Sequence, residues 1–355
     1  MEYTPFTEDM TDPIIASSSH CKCPLDWARG DWWWKPIPIP NNPLDVKSAT
    51  NPPSRIAAVC LRGERAGPRR YDSRMQPTMD LDSYFRRIRY AGSRSPTLET
   101  LHALCAAHVK AVPFENLDLL LGRVIDLSDE AVDRKLIHEG RGGYCFEQNV
   151  LFLRVLEAMG FVVRPLSARA RLQRPRDFTP PRTHVFVGVE LEGEAWLADV
   201  GVGGLAPTCA LRLDTTDVQP TPHEPRRIVR EGALYFHQVK LGEVWSDVCE
   251  FTLEEMPAID REVANWFTSA HPKSHFLNRL LVARALDDGG RATLLNRELT
   301  LRKRGGECVT RTISTPSELL EVLSTHFSLS FPPGTLFKCS GLDWPSPFQM
   351  EKPTG

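Results

Sequence analysis

The stretch Arg141-Gly142-Gly143-Tyr144-Cys145-Phe146-Glu147 places a cysteine just after two glycines, in what reads as the first turn of a helix. Glycines let the backbone turn sharply and approach a ligand closely. A helix start offers unpaired amide N–H groups and the positive end of a dipole, which lower a thiol's pKa toward thiolate. Thiolate is the nucleophile, and the same amides could stabilise an oxyanion. A cysteine taken at random is a small buried apolar residue. The glycine-turn-to-helix setting is what sets Cys145 apart.

Such a nucleophile needs a base, and the base needs a group to orient it. THVFVGVEL (residues 183–191) and AWLADVGV (195–202) read as two strands, with Glu192-Gly193 as the hairpin turn between them. That turn pairs Leu191 with Glu194 and, further along, Phe186 with Asp199. His184 then lies diagonal to Asp199 on the same face, within reach of a shared hydrogen bond if the sheet twists favourably. Taken singly, His184 reads as a structural histidine and Asp199 as a turn residue before Gly201. Taken with Cys145, they have the roles of a Cys-His-Asp triad, which is recognised by role and geometry rather than sequence order.

The elements around these residues follow from periodicity. Leu81, Tyr84, Phe85 and Ile88 form the stripe of a helix lying on a core. A second helix opens at the cap Ser95 with Pro96 in its first position, and carries Leu98, Leu101, Cys105 and His108 on one face. A third is expected over residues 128–139, stopped by Gly140, and a fourth from Cys145 to Gly160. Strands are expected over 161–172, in the hairpin, and near 227–230, 233–240 and 248–252, as an antiparallel sheet or barrel. After Asn265-Trp266-Phe267 come strand-like runs at 292–295 and 298–303. One helix starts at Thr315-Pro316-Ser317-Glu318, a capping box, and ends near His326.

At 355 residues, 41% hydrophobic and 25% charged, the chain has the composition of a soluble globular protein with a sizeable core. Its 43 Lys+Arg against 45 Asp+Glu supply no broad attraction for nucleic acid or an acidic membrane. There is no apolar run of about 18 residues and no secretory layout at the N-terminus. Nine scattered cysteines suit a reduced, cytoplasmic setting. Cys21-Lys22-Cys23 lacks a second Cys/His pair, so no metal site is expected. The first 78 residues hold 11 of the 29 prolines, which breaks any period. Three readings stand for them: a disordered extension, a partner-binding arm with tryptophan anchors, or a mis-called start with Met79 as the true one. The third is preferred, because folded-domain patterning begins there.

Read together, Val112-Pro113-Phe114-Glu115-Asn116-Leu117, the Arg141 to Glu147 block, Thr183-His184 and Ala198-Asp199-Val200-Gly201-Val202-Gly203 resemble arylamine N-acetyltransferases of the bacterial type in order and spacing. Asn265-Trp266-Phe267-Thr268-Ser269-Ala270-His271-Pro272 and Pro332-Pro333-Gly334 fit the same pattern. The resemblance runs from Met79 to about Trp344 and leaves residues 1–78 unmatched. It implies an α+β chain in three parts: a helical bundle (79–165) carrying the cysteine, an antiparallel β-barrel (166–264) carrying His184 and Asp199, and an α/β lid (265–355). The catalytic core would be like that of cysteine proteases and transglutaminases.

The resemblance further implies ping-pong transfer of acetyl from acetyl-CoA, a substrate rather than a bound cofactor, through a Cys145 thioester. Aromatic amines, hydrazines or N-hydroxyarylamines would be the acceptors. Phe114, Val202 and Phe276 would wall the amine pocket, with Val202 standing where many relatives carry an aromatic residue. Thr183, Gly201 and Gly203 would lie near the CoA arm, and Glu115 with Arg141 would form a structural ion pair beneath the site. A cysteine hydrolase or transglutaminase-like enzyme using the same triad is the alternative.

Overall fold

A computed structural model of the chain describes residues 79–172 and 174–344. The expectations for residues 1–78 lie outside them. Helix α1 (Leu81–Ile88) starts at Asp80, whose carboxylate accepts from the Ser83 amide (3.0 Å), and buries Tyr84, Phe85 and Ile88. Helix α2 (Leu98–Ala111) is capped by Thr97, not Ser95. The Thr97 hydroxyl reaches the Thr100 amide three residues on (3.3 Å), the distance at which a cap works. Ser95 is two residues too early. Strand β1 (Phe114–Glu115) and the short α3 (Leu117–Leu120) follow. The expected helix at 128–139 is α4 (Asp129–Asp133) continued by a π-helical turn, Arg134–His138, and Gly140 then takes φ +66°. Helix α5 (Cys145–Ala158) leads to Gly160 at φ +86°.

Seven antiparallel strands come next: β2 (Val162–Ala170), β3 (His184–Leu191), β4 (Glu194–Ala198), β5 (Leu211–Arg212), β6 (Arg226–Glu231), β7 (Leu234–Leu241) and β8 (Val244–Glu255). Their order is β5-β4-β3-β2-β8-β7-β6, and the two edges almost meet. The Arg212 amide of β5 donates to the Gln219 side chain (2.8 Å), and Gln219 in turn bridges Arg226 of β6. The sheet is thus a nearly closed barrel. Tyr84, Leu101, Phe152, Val187 and Val248 belong to one buried cluster that joins α1, α2 and α5 to the barrel.

Helix α6 (Ala258–Ala270) precedes a second antiparallel sheet. It comprises β9 (Leu281–Ala285), β10 (Arg291–Leu295), β11 (Glu298–Arg302) and β12 (Cys308–Thr312), with β1 as its other edge. Helix α7 (Pro316–Phe327) covers this sheet through Leu319, Leu323 and Phe327 against Leu294 and Leu299. Thr315 caps α7 by accepting from the Glu318 amide (3.1 Å). Among the described residues no helix is long and apolar enough to cross a membrane. Cys105, Cys145, Cys209, Cys249 and Cys339 are free thiols, whereas Cys308 is disulfide-bonded, which departs from the expectation of a fully reduced chain.

Candidate active site

The loop before α5 is shaped by close approach rather than by unusual dihedrals. Neither Gly142 nor Gly143 has positive φ. A Cβ at Gly142 would lie 2.1 Å from the Pro113 carbonyl oxygen, and one at Gly143 would lie 2.8 Å from the Glu147 carboxylate. This corrects the reading of the glycines as a sharp turn facing a ligand: what they approach is the chain itself. The Glu115 amide donates to the Gly143 carbonyl (3.0 Å), and the Gly143 amide donates to that of Pro113 (3.3 Å). Glu147 closes the helix start by accepting from the Tyr144 amide (3.0 Å). Cys145 is therefore the first residue of a firmly anchored α5, with its Sγ 3.6 Å from the Thr183 carbonyl oxygen.

The hairpin register is the one the turn dictates. Leu191 pairs with Glu194, and pairing runs to Val187 with Ala198, after which the chain leaves the strand. His184 Nε2 and Asp199 Oδ2 stand 2.8 Å apart, both almost fully buried. Burial alone would lower the His184 pKa. The Asp199 charge, its hydrogen bond and the neighbouring Cys145 outweigh that, and the imidazole is raised to about 10. Burial likewise works against the Asp199 carboxylate, yet His184, the Asn149 side chain and the Gly201 amide hold it below its ordinary value. With Nε2 committed to Asp199, Nδ1 is the ring nitrogen left for the thiol.

Phe114, Thr183, Gly201, Val202 and Phe276 line one narrow cleft of about 50 Å³ together with Cys145 and His184. Gly203 does not reach the cleft wall. It takes φ +86° behind Phe114, whose ring lies 3.6 Å from where a Cβ would stand. Gly201 sits against the nucleophile's own backbone, 2.9 Å from Cys145 Cα measured from an added Cβ. Any larger residue there would displace the helix start. Ala170, Leu172, Pro180, Pro181 and His275 complete the cleft. Burial first, then Arg279 and Arg174, keep His275 neutral with its pKa lowered to about 3.

Arg141 Nη2 is 2.7 Å from Glu115 Oε1 and 3.2 Å from Asp118 Oδ1. Lys135 extends the set to Asp118 (2.7 Å) and Glu147 (2.6 Å). The expected pair is thus part of a buried network of five charges under the start of α5. Two asparagines escaped the sequence reading. Asn149 donates to Asp199 Oδ1 (3.0 Å) and to the Val185 carbonyl (2.7 Å), and accepts from the Val200 amide (3.0 Å). It lies four residues after Cys145, hence on the same helix face, a spacing that could have drawn notice. Asn116 donates to the carbonyls of Phe276 and Arg279 (2.7 Å each) and accepts from the Leu281 amide, so it holds one wall of the cleft.

Chemically, an imidazole held charged next to a thiol at a helix start, with first-turn amides alongside, suits acyl transfer through sulfur. The family model described as N-acetyltransferase matches residues 97–334. The arylamine N-acetyltransferase of Escherichia coli (strain K12) is 41% identical over 249 residues, 70% of this chain and 88% of that protein. The arylamine N-acetyltransferase / N-hydroxyarylamine O-acetyltransferase of Salmonella typhimurium is 40% identical over 252 residues, 71% of this chain and 89% of its own. A solved structure of the Mycobacterium marinum arylamine N-acetyltransferase in complex with CoA superposes with a TM-score of 0.67 at 39% identity, covering 70% of this chain and 92% of that one. Identity of this order over most of each protein's length places the chain in the arylamine N-acetyltransferase family.

Proposed function

We propose that this chain transfers an acetyl group from acetyl-CoA to arylamines, with N-hydroxyarylamines and hydrazines as related acceptors, through a thioester on Cys145. The observation that carries this reading is the 2.8 Å contact between His184 and the buried Asp199, with His184 and Cys145 both lining one apolar cleft. The Cys145 sulfur is the attacking atom, and its proton goes to the His184 ring, which Asp199 favours in the charged form. Sulfur adds to the acetyl carbonyl, the C–S bond to CoA breaks, and His184 gives its proton to the leaving CoA sulfur. The amine then attacks the acetyl-enzyme, and the neutral imidazole takes the amine proton. Cys145 sulfur leaves, and the starting state of the cysteine and histidine is restored. In this reading, amides at the start of α5 stabilise the oxyanion in both steps.

Phe114, Val202 and Phe276 form the acceptor wall, and Thr183 and Gly201 the side open to the pantetheine arm. An aliphatic Val202 gives weaker stacking on an arylamine than an aromatic side chain would. The free thiols at Cys105, Cys209, Cys249 and Cys339 favour a reducing, cytoplasmic location, and the disulfide-bonded Cys308 stands against it.

Intact-mass measurement tests the reading directly. Acetyl-CoA should add one acetyl group to the protein, an arylamine should discharge it, and C145A should take up none while unfolding like the parent. Acetylation that survives C145A would remove this sulfur from the mechanism. Turnover of peptides without any acetyl adduct would favour the hydrolase.

A further inference from the structure

The segment from Asp199 to Ala206 contains glycines at 201, 203 and 204 and no regular structure, yet it must present three things at once. These are the Asp199 carboxylate to His184, Gly201 to the Cys145 backbone, and Val202 to the cleft. Glycines lose the most conformational freedom on folding, so such a segment needs fixing at both ends. The near end is fixed by Asn149 and by the Gly201 amide on Asp199 Oδ1 (3.0 Å).

The far end meets a buried carboxylate in the segment leading into β6. Glu224 Oε1 accepts from Arg291 Nε (2.7 Å) and from Arg302, and Oε2 accepts from Arg291 Nη2 (2.7 Å) and Arg226 Nη2 (3.0 Å). Glu224, Arg226 and Arg291 are almost wholly buried. One carboxylate cannot satisfy three guanidinium groups, and buried donors must find acceptors. Two of the remaining N–H donors turn to the glycine segment, with Arg226 Nη1 also 3.1 Å from His237 Nε2. Arg226 Nη1 donates to the Leu205 carbonyl (2.7 Å), and Arg291 Nη2 donates to that of Ala206 (2.8 Å). Arg226 comes from the barrel and Arg291 from β10 of the second sheet, so the two sheets grip the segment from either side.

Accepting the cleft as the amine site, we propose that Glu224 is a positioning residue for the acceptor pocket. By holding Arg226 and Arg291 against the Leu205 and Ala206 carbonyls, it fixes the far end of the glycine segment and so the place of Val202 in the cleft. Asp199 has its own anchor in Asn149, so loosening the far end displaces the pocket wall and spares the triad. The consequence is a split between acceptor binding and sulfur chemistry.

The test uses the full chain carrying R291K, which keeps the charge but loses the planar fork, with the milder E224D as a second variant. Arylamine KM should rise about 10-fold with kcat within about 2-fold, as expected for a displaced wall rather than a lost catalytic group. Iodoacetamide should alkylate Cys145 at the parental rate across pH. Hydrogen exchange at the amides of residues 203–206 should accelerate in both variants, while the Val200 and Gly201 amides, held by Asn149 and Asp199, keep the parental rate. An unchanged KM with unchanged exchange overturns the proposal. So does a parallel fall of alkylation, acetyl-enzyme formation and kcat, the pattern of a network that only supports the fold. If the parent accepts no acetyl group, the acetyltransferase reading fails, and the exchange measurement still decides whether Glu224 holds the segment.

Discussion

Asp199 accepts hydrogen bonds from three donors and sets its charge against the buried His184 ring. D199N keeps the shape and removes the charge. The largest opposition to burial at His184 is then gone, the pKa of the ring falls, and acetyl transfer should fall on the order of 10⁴-fold, as when a triad aspartate is neutralised. The same contact predicts a pH signature. A histidine raised in the folded state contributes stability fully below its unfolded value of about 6.5. That contribution is lost as pH climbs toward about 10, the folded value. The parent's unfolding free energy should therefore drop more steeply between pH 7 and pH 10 than that of D199N, in urea titrations at each pH. Parallel curves would mean that His184 is not held charged. The part of the Asp199 depression that comes from His184 is the acid-side face of this same interaction and is not counted twice; Asn149 and the Gly201 amide supply the rest.

At the scale of elements, the hairpin was legible because a two-residue turn leaves one register, and Leu191 does pair with Glu194. Helix α6 was not, because its pattern is turned inside out. Ile259, Val263 and Trp266 are exposed at helical spacing, while Ala264, Asn265 and Thr268 face inward. Asn265 is there to meet Tyr144 and the Ile125 carbonyl, so burial follows hydrogen bonding rather than hydropathy. The glycines of the Arg141 block were noticed for the wrong reason. Gly142 matters because the Pro113 carbonyl occupies the space of a side chain, and Gly140 matters because of its dihedral. G142A should cost about 3 kcal/mol, the upper end for overpacking, and slow acetylation of Cys145 by loosening the loop from β1. G140A, with open space around its Cβ, should cost only about 1–2 kcal/mol of backbone strain and leave acetylation intact. Equal effects of the two in urea unfolding and acetylation assays would refute this distinction.

For the molecule as a whole, the parts are joined by buried charge as much as by apolar packing, which hydrophobic periodicity does not reveal. Glu115 and Arg141 stood out only because they sat in matching blocks. Asp118 and Lys135 carried no signal of their own, and Glu147 was given no role although it ends the Arg141 block, yet the three tie α3, the π-helical turn and the start of α5 into one unit. Lys135 is the member on which two carboxylates depend. K135M strands Glu147, whose side chain is 2% exposed, and removing one partner from a buried pair typically costs about 3–5 kcal/mol. Burial already pushes the Glu147 carboxyl up, with Lys135 opposing it. Without Lys135 the folded protein keeps a proton that the unfolded chain releases above about pH 4.3. K135M should therefore lose stability as pH rises from 5 to 8, relative to the parent. Adding E147Q removes the stranded charge and retains an acceptor for the Tyr144 amide, so K135M/E147Q should recover most of the loss and flatten the pH dependence. Urea unfolding of the parent, both single variants and the double at pH 5 and pH 8 decides it. A double variant no more stable than K135M at pH 8 would show that the lysine acts through something other than Glu147.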